Sequence, residues 1–86
     1  VLVHSMRHGE VAAELLNLST TGVLLRTRTS AFPVGEDLRI ALPGGATAAA
    51  RIVWAAGGLH GLSLHTPLGR AAVAAALLKA AALPPA

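Results

Sequence analysis

The 86 residues predict an all-β domain with a C-terminal helix: six short antiparallel strands curled into a barrel over residues 1–65, capped by one α-helix over residues 66–83. Three observations predict it. Turn-forming clusters recur at short intervals, as RHGE, STTG, FPVGED, PGG and AAGG. Between them, apolar and polar residues alternate with the period of a half-buried strand. After His65 the pattern changes to an Ala-rich run of strong helix formers.

The predicted strands are Leu2 to Arg7, Val11 to Leu18, Val23 to Arg28, Asp37 to Leu42, Ala46 to Trp54 and Leu59 to His65. DLRIAL sets Leu38, Ile40 and Leu42 on one face and Asp37 and Arg39 on the other. GLSLH sets Leu62 and Leu64 against Ser63. VLLRTR turns Val23, Leu25 and Thr27 inward and Leu24, Arg26 and Arg28 outward. Trp54, the sole tryptophan, reads as a packing residue in preference to a base-stacking platform. For the helix, Thr66 is the expected N-cap with Pro67 at the first helical position, although Gly69 weakens that start and points to one near Arg70. A stripe of Val73, Leu77, Ala80 and Ala81 is expected to close one end of the barrel, and Pro84 and Pro85 to stop the helix. Ala72, Ala75 and Ala76 are small enough to support a contact between copies of the chain, so a homo-oligomer is an expectation carried beside the simple lid.

Composition bounds the function. One small core fits this length. It must be aliphatic, because one Phe and one Trp are the only aromatic residues of the FWY class. The net charge is +3, and six of the seven basic residues are arginines, but no basic run exists, so neither DNA nor RNA is an expected partner. With no cysteine, disulfides and thiolate chemistry are excluded; the reading is a cytoplasmic domain without a targeting segment. RAAVAAALLKAAAL carries charge at Arg70 and Lys79 and is too short to span a bilayer. No G-x-S-x-G elbow is present, and the four histidines, His4, His8, His60 and His65, lie on separate segments and read as surface or edge residues. Neighbouring Glu36 and Asp37 read as solvated loop charges. The expectation is a protein with no catalytic residues, no metal site and no cofactor.

The stretch NLSTTG, Asn17 to Gly22, lies between two strand-like runs and admits two readings, a plain turn and a binding site. A plain turn accounts for Asn, Ser and Thr bonding nearby backbone and for a glycine that accepts positive φ. Alternation also puts Asn17 and Ser19 on one face, with Leu16 and Leu18 on the other. The spacing N-x-S-x-x-G, followed by GVLLRT, GEDLRIALP and ARIVWAAGGLHGLSLHTPLG in that order, resembles the PilZ domain over about Leu2 to Leu78.

That resemblance implies a six-stranded PilZ-like barrel serving as a non-catalytic receptor for cyclic di-GMP, a bacterial second messenger, and passing the signal to a protein partner or an attached effector domain. It implies that Asn17 and Ser19 hydrogen-bond a guanine on the outer wall while Gly22 permits close backbone approach. Arg26, Arg28 and Arg51 are expected to add cationic character if their strands adjoin the motif. The family's second binding motif, R-x-x-x-R just ahead of the first strand, is absent from these residues. Loss of two charge-assisted contacts, at roughly 1.5–3 kcal/mol each, weakens binding on the order of a hundredfold or more. The alternative is therefore a degenerate PilZ-like module for protein–protein interaction or oligomerisation that binds no nucleotide. An R-x-x-x-R ahead of Val1 favours the sensor, and its absence favours the interaction module.

Overall fold

A computed structural model describes residues 1–28 and 32–82. They form seven strands and one helix: β1 (Leu2–Ser5), β2 (Gly9–Ala12), β3 (Glu14–Leu18), β4 (Gly22–Arg26), β5 (Asp37–Ala41), β6 (Thr47–Ala56), β7 (Leu59–Leu64) and α1 (Arg70–Ala82). All neighbours pair antiparallel in the order β2-β1-β5-β6-β7-β4-β3. The predicted all-β class with a C-terminal helix holds, with seven strands in place of six. The difference lies in Val11 to Leu18, read from sequence as one strand. Its first part pairs with β1 and its second with β4, so the chain changes partner at Ala13. Ala13 N–H donates to Val1 O at 2.8 Å, and the Val1 amino group donates to Ala13 O at 2.7 Å. The two edge strands of the sheet are thus joined by a single buried residue, and the sheet curls on itself through chain continuity.

Alternation decides which side chains enter. Val3, Leu25, Ile40, Ala50 and Ile52 are almost fully buried, with Leu38, Leu62 and Leu64 beside them. Each large aliphatic group taken from water contributes about 1.5–3 kcal/mol. The β6–β7 hairpin turns on Gly57 and Gly58, both at positive φ (57° and 84°), as a two-residue turn between antiparallel strands prefers. Gly58 is doubly constrained, since a Cβ there would lie 2.8 Å from Thr27 O.

The helix starts at Arg70, not at Thr66: Val73 N–H donates to Gly69 O at 3.1 Å, which makes Gly69 the capping residue. α1 packs beside β3, with Ala76 buried and Val73 and Leu68 half-buried against the core. The small Ala76 side chain lets the helix approach closely, which turns Leu77 to the rim and leaves it 36% exposed. Ala72, Ala75 and Ala76 consequently form no free stripe: Ala76 faces the core and Ala75 faces solvent. The side chains of Ala80 and Ala81, and the expected stop at Pro84 and Pro85, lie outside the described residues.

The end of the barrel opposite the helix corrects two further readings. His60 is buried, not at the surface or an edge. Phe32 N–H donates to His60 Nε2 at 3.1 Å, so the ring proton sits on Nδ1, which donates to Gly58 O at 3.1 Å. Phe32 is itself buried, edge-on between His8 and His60, with ring centroids 5.3 and 5.5 Å away. Glu36 is not a solvated loop charge either. Its side chain is 9% exposed, its carboxylate accepts no hydrogen bond among the described residues, and His8 Nδ1 lies 3.5 Å away, a contact that is an ion pair only when that ring is protonated.

Candidate functional site

The NLSTTG segment joins β3 to β4 at the helix end of the barrel, where Leu64 N–H donates to Thr21 O and Leu68 N–H to Thr20 O, at 2.9 and 2.8 Å. Within the turn, Ser19 does the organising. Its Oγ accepts from Gly22 N–H at 3.0 Å and Thr21 N–H at 3.3 Å, while Ser19 N–H donates to Gly22 O at 2.9 Å. With both lone pairs occupied, the hydroxyl offers an outside partner its hydrogen, which is held only by a long 3.4 Å contact to Gly22 O. Asn17 is constrained in the same sense. Its Oδ1 accepts from Leu18 N–H at 2.9 Å, which fixes the amide orientation, and its Nδ2 has no partner among the described residues. The turn therefore presents one unpaired donor, Asn17 Nδ2, and a second, the Ser19 hydroxyl, that is held only by its long bond to Gly22 O. Gly22 is not at positive φ, contrary to the turn reading. The constraint is space: a Cβ would stand 3.3 Å from Leu62 O and 3.6 Å from Ser19 Oγ.

The expected arginines separate into different neighbourhoods. Arg26 lies four residues along β4 from Gly22, about 13 Å away at strand rise, and its Nη1 bonds Glu14 Oε1 at 3.3 Å. Arg28 is exposed beyond the end of β4. Arg51 shares a cross-strand row with the motif glycine, Gly22–Ser63–Arg51–Asp37, and so stands two strands, about 9.5 Å, from it. Arg51 Nε donates to Asp37 Oδ1 at 3.2 Å and its Nη2 to Oδ2 at 3.4 Å; His65 Nε2 lies 2.8 Å from Oδ1. The Arg51 hydrogen bond, and after it that of His65, holds the Asp37 carboxyl below the usual carboxylate range. Of the three arginines, only Arg51 lies toward the motif end of the wall.

A second row crosses the same outer wall: Asn17 pairs with Leu24, Leu24 with Gly61, and Gly61 with Trp54. Trp54 is 44% exposed rather than packed inside, and a Cβ on Gly61 would overlap its Nε1, Cε2 and Cδ1, so the indole lies against the glycine. Sequence reasoning missed Leu24 and Gly61 as companions of the motif. A glycine inside a strand pattern was the available signal, because it marks close approach by another group.

Among the described residues no group of three or more His, Asp or Glu side chains is placed to hold a metal ion, and no helix is long and apolar enough to cross a membrane. A curled antiparallel sheet with an exposed polar turn on its outer wall and one helix beside it makes a small β-barrel-like domain. The PilZ domain profile matches residues 2–78, and the chain belongs to the PilZ family, whose members are generally non-catalytic receptor domains of the cyclic di-GMP-binding type. No curated protein and no solved structure matches the chain at a significant level.

Proposed function

We propose that this domain binds cyclic di-GMP through Asn17, Ser19 and Gly22 and acts as a non-catalytic regulatory receptor in bacterial second-messenger signalling. The observation that carries the reading is the donor pair. Guanine presents two acceptors, O6 and N7, on one edge, and Asn17 Nδ2 with the Ser19 hydroxyl offers two donors from one exposed turn. Adenine presents an amino donor in place of O6, so the same pair disfavours it. Gly22 keeps the wall low beside them, and Arg51 supplies the nearest guanidinium for a phosphate, in competition with Asp37. Arg26 and Arg28 act at longer range, through charge. Without an R-x-x-x-R pair in these residues, affinity is weaker than a full two-motif site gives, on the order of a hundredfold.

The output passes to a protein partner or an attached domain in the cytoplasm. One observation favours protein contact at the helix: Leu78 is 71% exposed and Leu77 is 36% exposed on α1. A module that oligomerises or binds protein through that face without nucleotide is the second reading.

Calorimetric titration tests the first. Cyclic di-GMP is expected to bind the chain, cyclic di-AMP to bind at least about tenfold more weakly, and an Asn17→Ala/Ser19→Ala variant to lose at least about tenfold in affinity, as expected for two lost hydrogen bonds. Absence of cyclic di-GMP binding, or equal binding by the double variant, overturns the reading.

A further inference from the structure

Among the polar groups at the end of the barrel away from the helix, Glu36 is the exception. Ser5 and His60 are bonded, whereas both carboxyl oxygens of Glu36 are buried without a hydrogen-bond donor among the described residues. His8 Nδ1 stands 3.5 Å from Oε2, outside good hydrogen-bond range, and 3.3 Å from Ser5 Oγ. Buried acceptors without a donor are few in native proteins, and each one asks for a cause. Functional sites are where a fold tolerates such a departure, and there another molecule supplies the missing donor.

Glu36 belongs to the lining of a cleft. Met6 and Arg7 on the β1–β2 turn face residues 33–37 ahead of β5 across an open cavity of about 440 Å³. Both walls are fixed by hydrogen bonds. On one side Ser5 Oγ accepts from Arg7 and His8 N–H; on the other Glu36 N–H donates to Pro33 O at 3.2 Å and Gly35 N–H to Ile52 O at 2.8 Å. The cleft is thus preformed, which lowers the ordering cost of filling it. Two large apolar side chains stand in its lining and face water, Met6 at 97% and Val34 at 64% exposure. Asp37 is engaged by Arg51 and His65, so Glu36 is the acceptor that remains to be satisfied. The Arg7 side chain is exposed, and its charge stays in water.

We infer that this cleft is a docking site for an arginine side chain of a partner protein, with Glu36 receiving the guanidinium and Met6 and Val34 covering its methylene stem. Two unbonded oxygens on one carboxyl group match the guanidinium fork, which donates two parallel N–H bonds where a lysine ammonium acts as a point charge. The stem of an arginine lies well along apolar surface, and methionine adapts its shape to what it covers. Access to the carboxyl group needs one side chain to turn aside, that of His8, which is 36% exposed and sits on the turn. The cleft lies at the opposite end of the barrel from NLSTTG, so the inference does not depend on nucleotide binding.

Amide-resolved NMR of the labelled chain, titrated with the peptide acetyl-Leu-Arg-Leu-amide in the absence of nucleotide, tests it. Saturable shifts at Arg7, His8, Gly35 and Glu36 with a Kd in the millimolar range are expected, as a contact resting on one bidentate pair gives. The same peptide with citrulline in place of arginine keeps the shape without the charge, and is expected to bind at least about fivefold more weakly. Glu36→Gln is expected to weaken binding of the arginine peptide about tenfold, and Met6→Ser/Val34→Ser about threefold. No saturable shift in the cleft, equal affinity for the citrulline peptide, or an unchanged Kd in Glu36→Gln overturns the site. Should Glu36→Gln fail to fold by circular dichroism, the arginine and citrulline peptides on the parent chain decide the matter.

Discussion

The two ends of the barrel carry similar polar residues and use them in opposite ways. At the helix end, Asn17 and Ser19 stand at the surface and accept from neighbouring backbone N–H groups, while Asn17 Nδ2 is unpaired among the described residues and the Ser19 hydroxyl donates only through a long bond to Gly22 O. At the far end, His60 and Ser5 are buried and every bond they make is internal: His60 joins Phe32 to Gly58, and Ser5 Oγ accepts from Arg7 and His8 N–H at 3.2 Å each. The lesson concerns where a polar group's spare capacity points. A buried group with all its capacity used holds the fold, whereas an exposed group whose donor is unpaired, as at Asn17, or held only by a long bond, as at Ser19, is available to a ligand.

Breaking this contrast starts with the far end. His60→Ala leaves a cavity and orphans the Phe32 N–H, so it is expected to cost about 3 kcal/mol of unfolding free energy by urea denaturation. Affinity for cyclic di-GMP, measured where the variant is still folded, should stay within about twofold. A large loss of affinity with unchanged stability would reverse the assignment of the two ends.

A smaller effect of opposite sign is expected at Glu36. Both carboxyl oxygens of Glu36 are buried without a hydrogen-bond partner among the described residues, which costs free energy, and His8 Nδ1 stands 3.5 Å away. Glu36→Gln removes that cost and should raise stability by up to about 1 kcal/mol in the same urea assay. A loss of 2 kcal/mol or more would mean that the contact with His8 outweighs desolvation.

The smallest effect belongs to the exposed Arg51–Asp37–His65 cluster on the outer wall. Asp37 titrates below its unfolded value, so its contribution to stability is fully present above about pH 4 and is lost as pH falls through the folded value. The stability gap between the parent and Asp37→Asn should therefore be slight at neutral pH and close on acidification. A gap that widens as pH drops below 4 contradicts the sign.

Most of this architecture was legible because it depends on local pattern. Leu38, Ile40 and Leu42, Leu62 and Leu64, and Val23 and Leu25 all enter the core as alternation predicts, and Arg26 and Arg28 leave it. The motif residues Asn17, Ser19 and Gly22 come together because six consecutive residues cannot be far apart. What alternation could not anticipate was its own interruption. The partner switch at Ala13 makes two strands of one, and the bulge at Val53 turns Trp54 outward; both depend on register against distant strands. His60 and Glu36 were misread for a related reason, since burial of a polar residue depends on Phe32 arriving from a segment 28 residues away from His60. Arg51 looked like one arginine among six, and only the row Gly22–Ser63–Arg51 distinguishes it from Arg26 and Arg28.

The central claim is that ligand binding belongs to the outer wall at the NLSTTG end and not to the buried polar end. Amide-resolved NMR of the labelled chain during titration with cyclic di-GMP tests it most directly. The account predicts shifts confined to Asn17 through Leu24, Gly61 and Trp54, with smaller ones at Ser63 and Arg51 and none at Phe32, Glu36 or His60. Shifts centred on those last three residues, or a spectrum that cyclic di-GMP leaves unchanged, would contradict it.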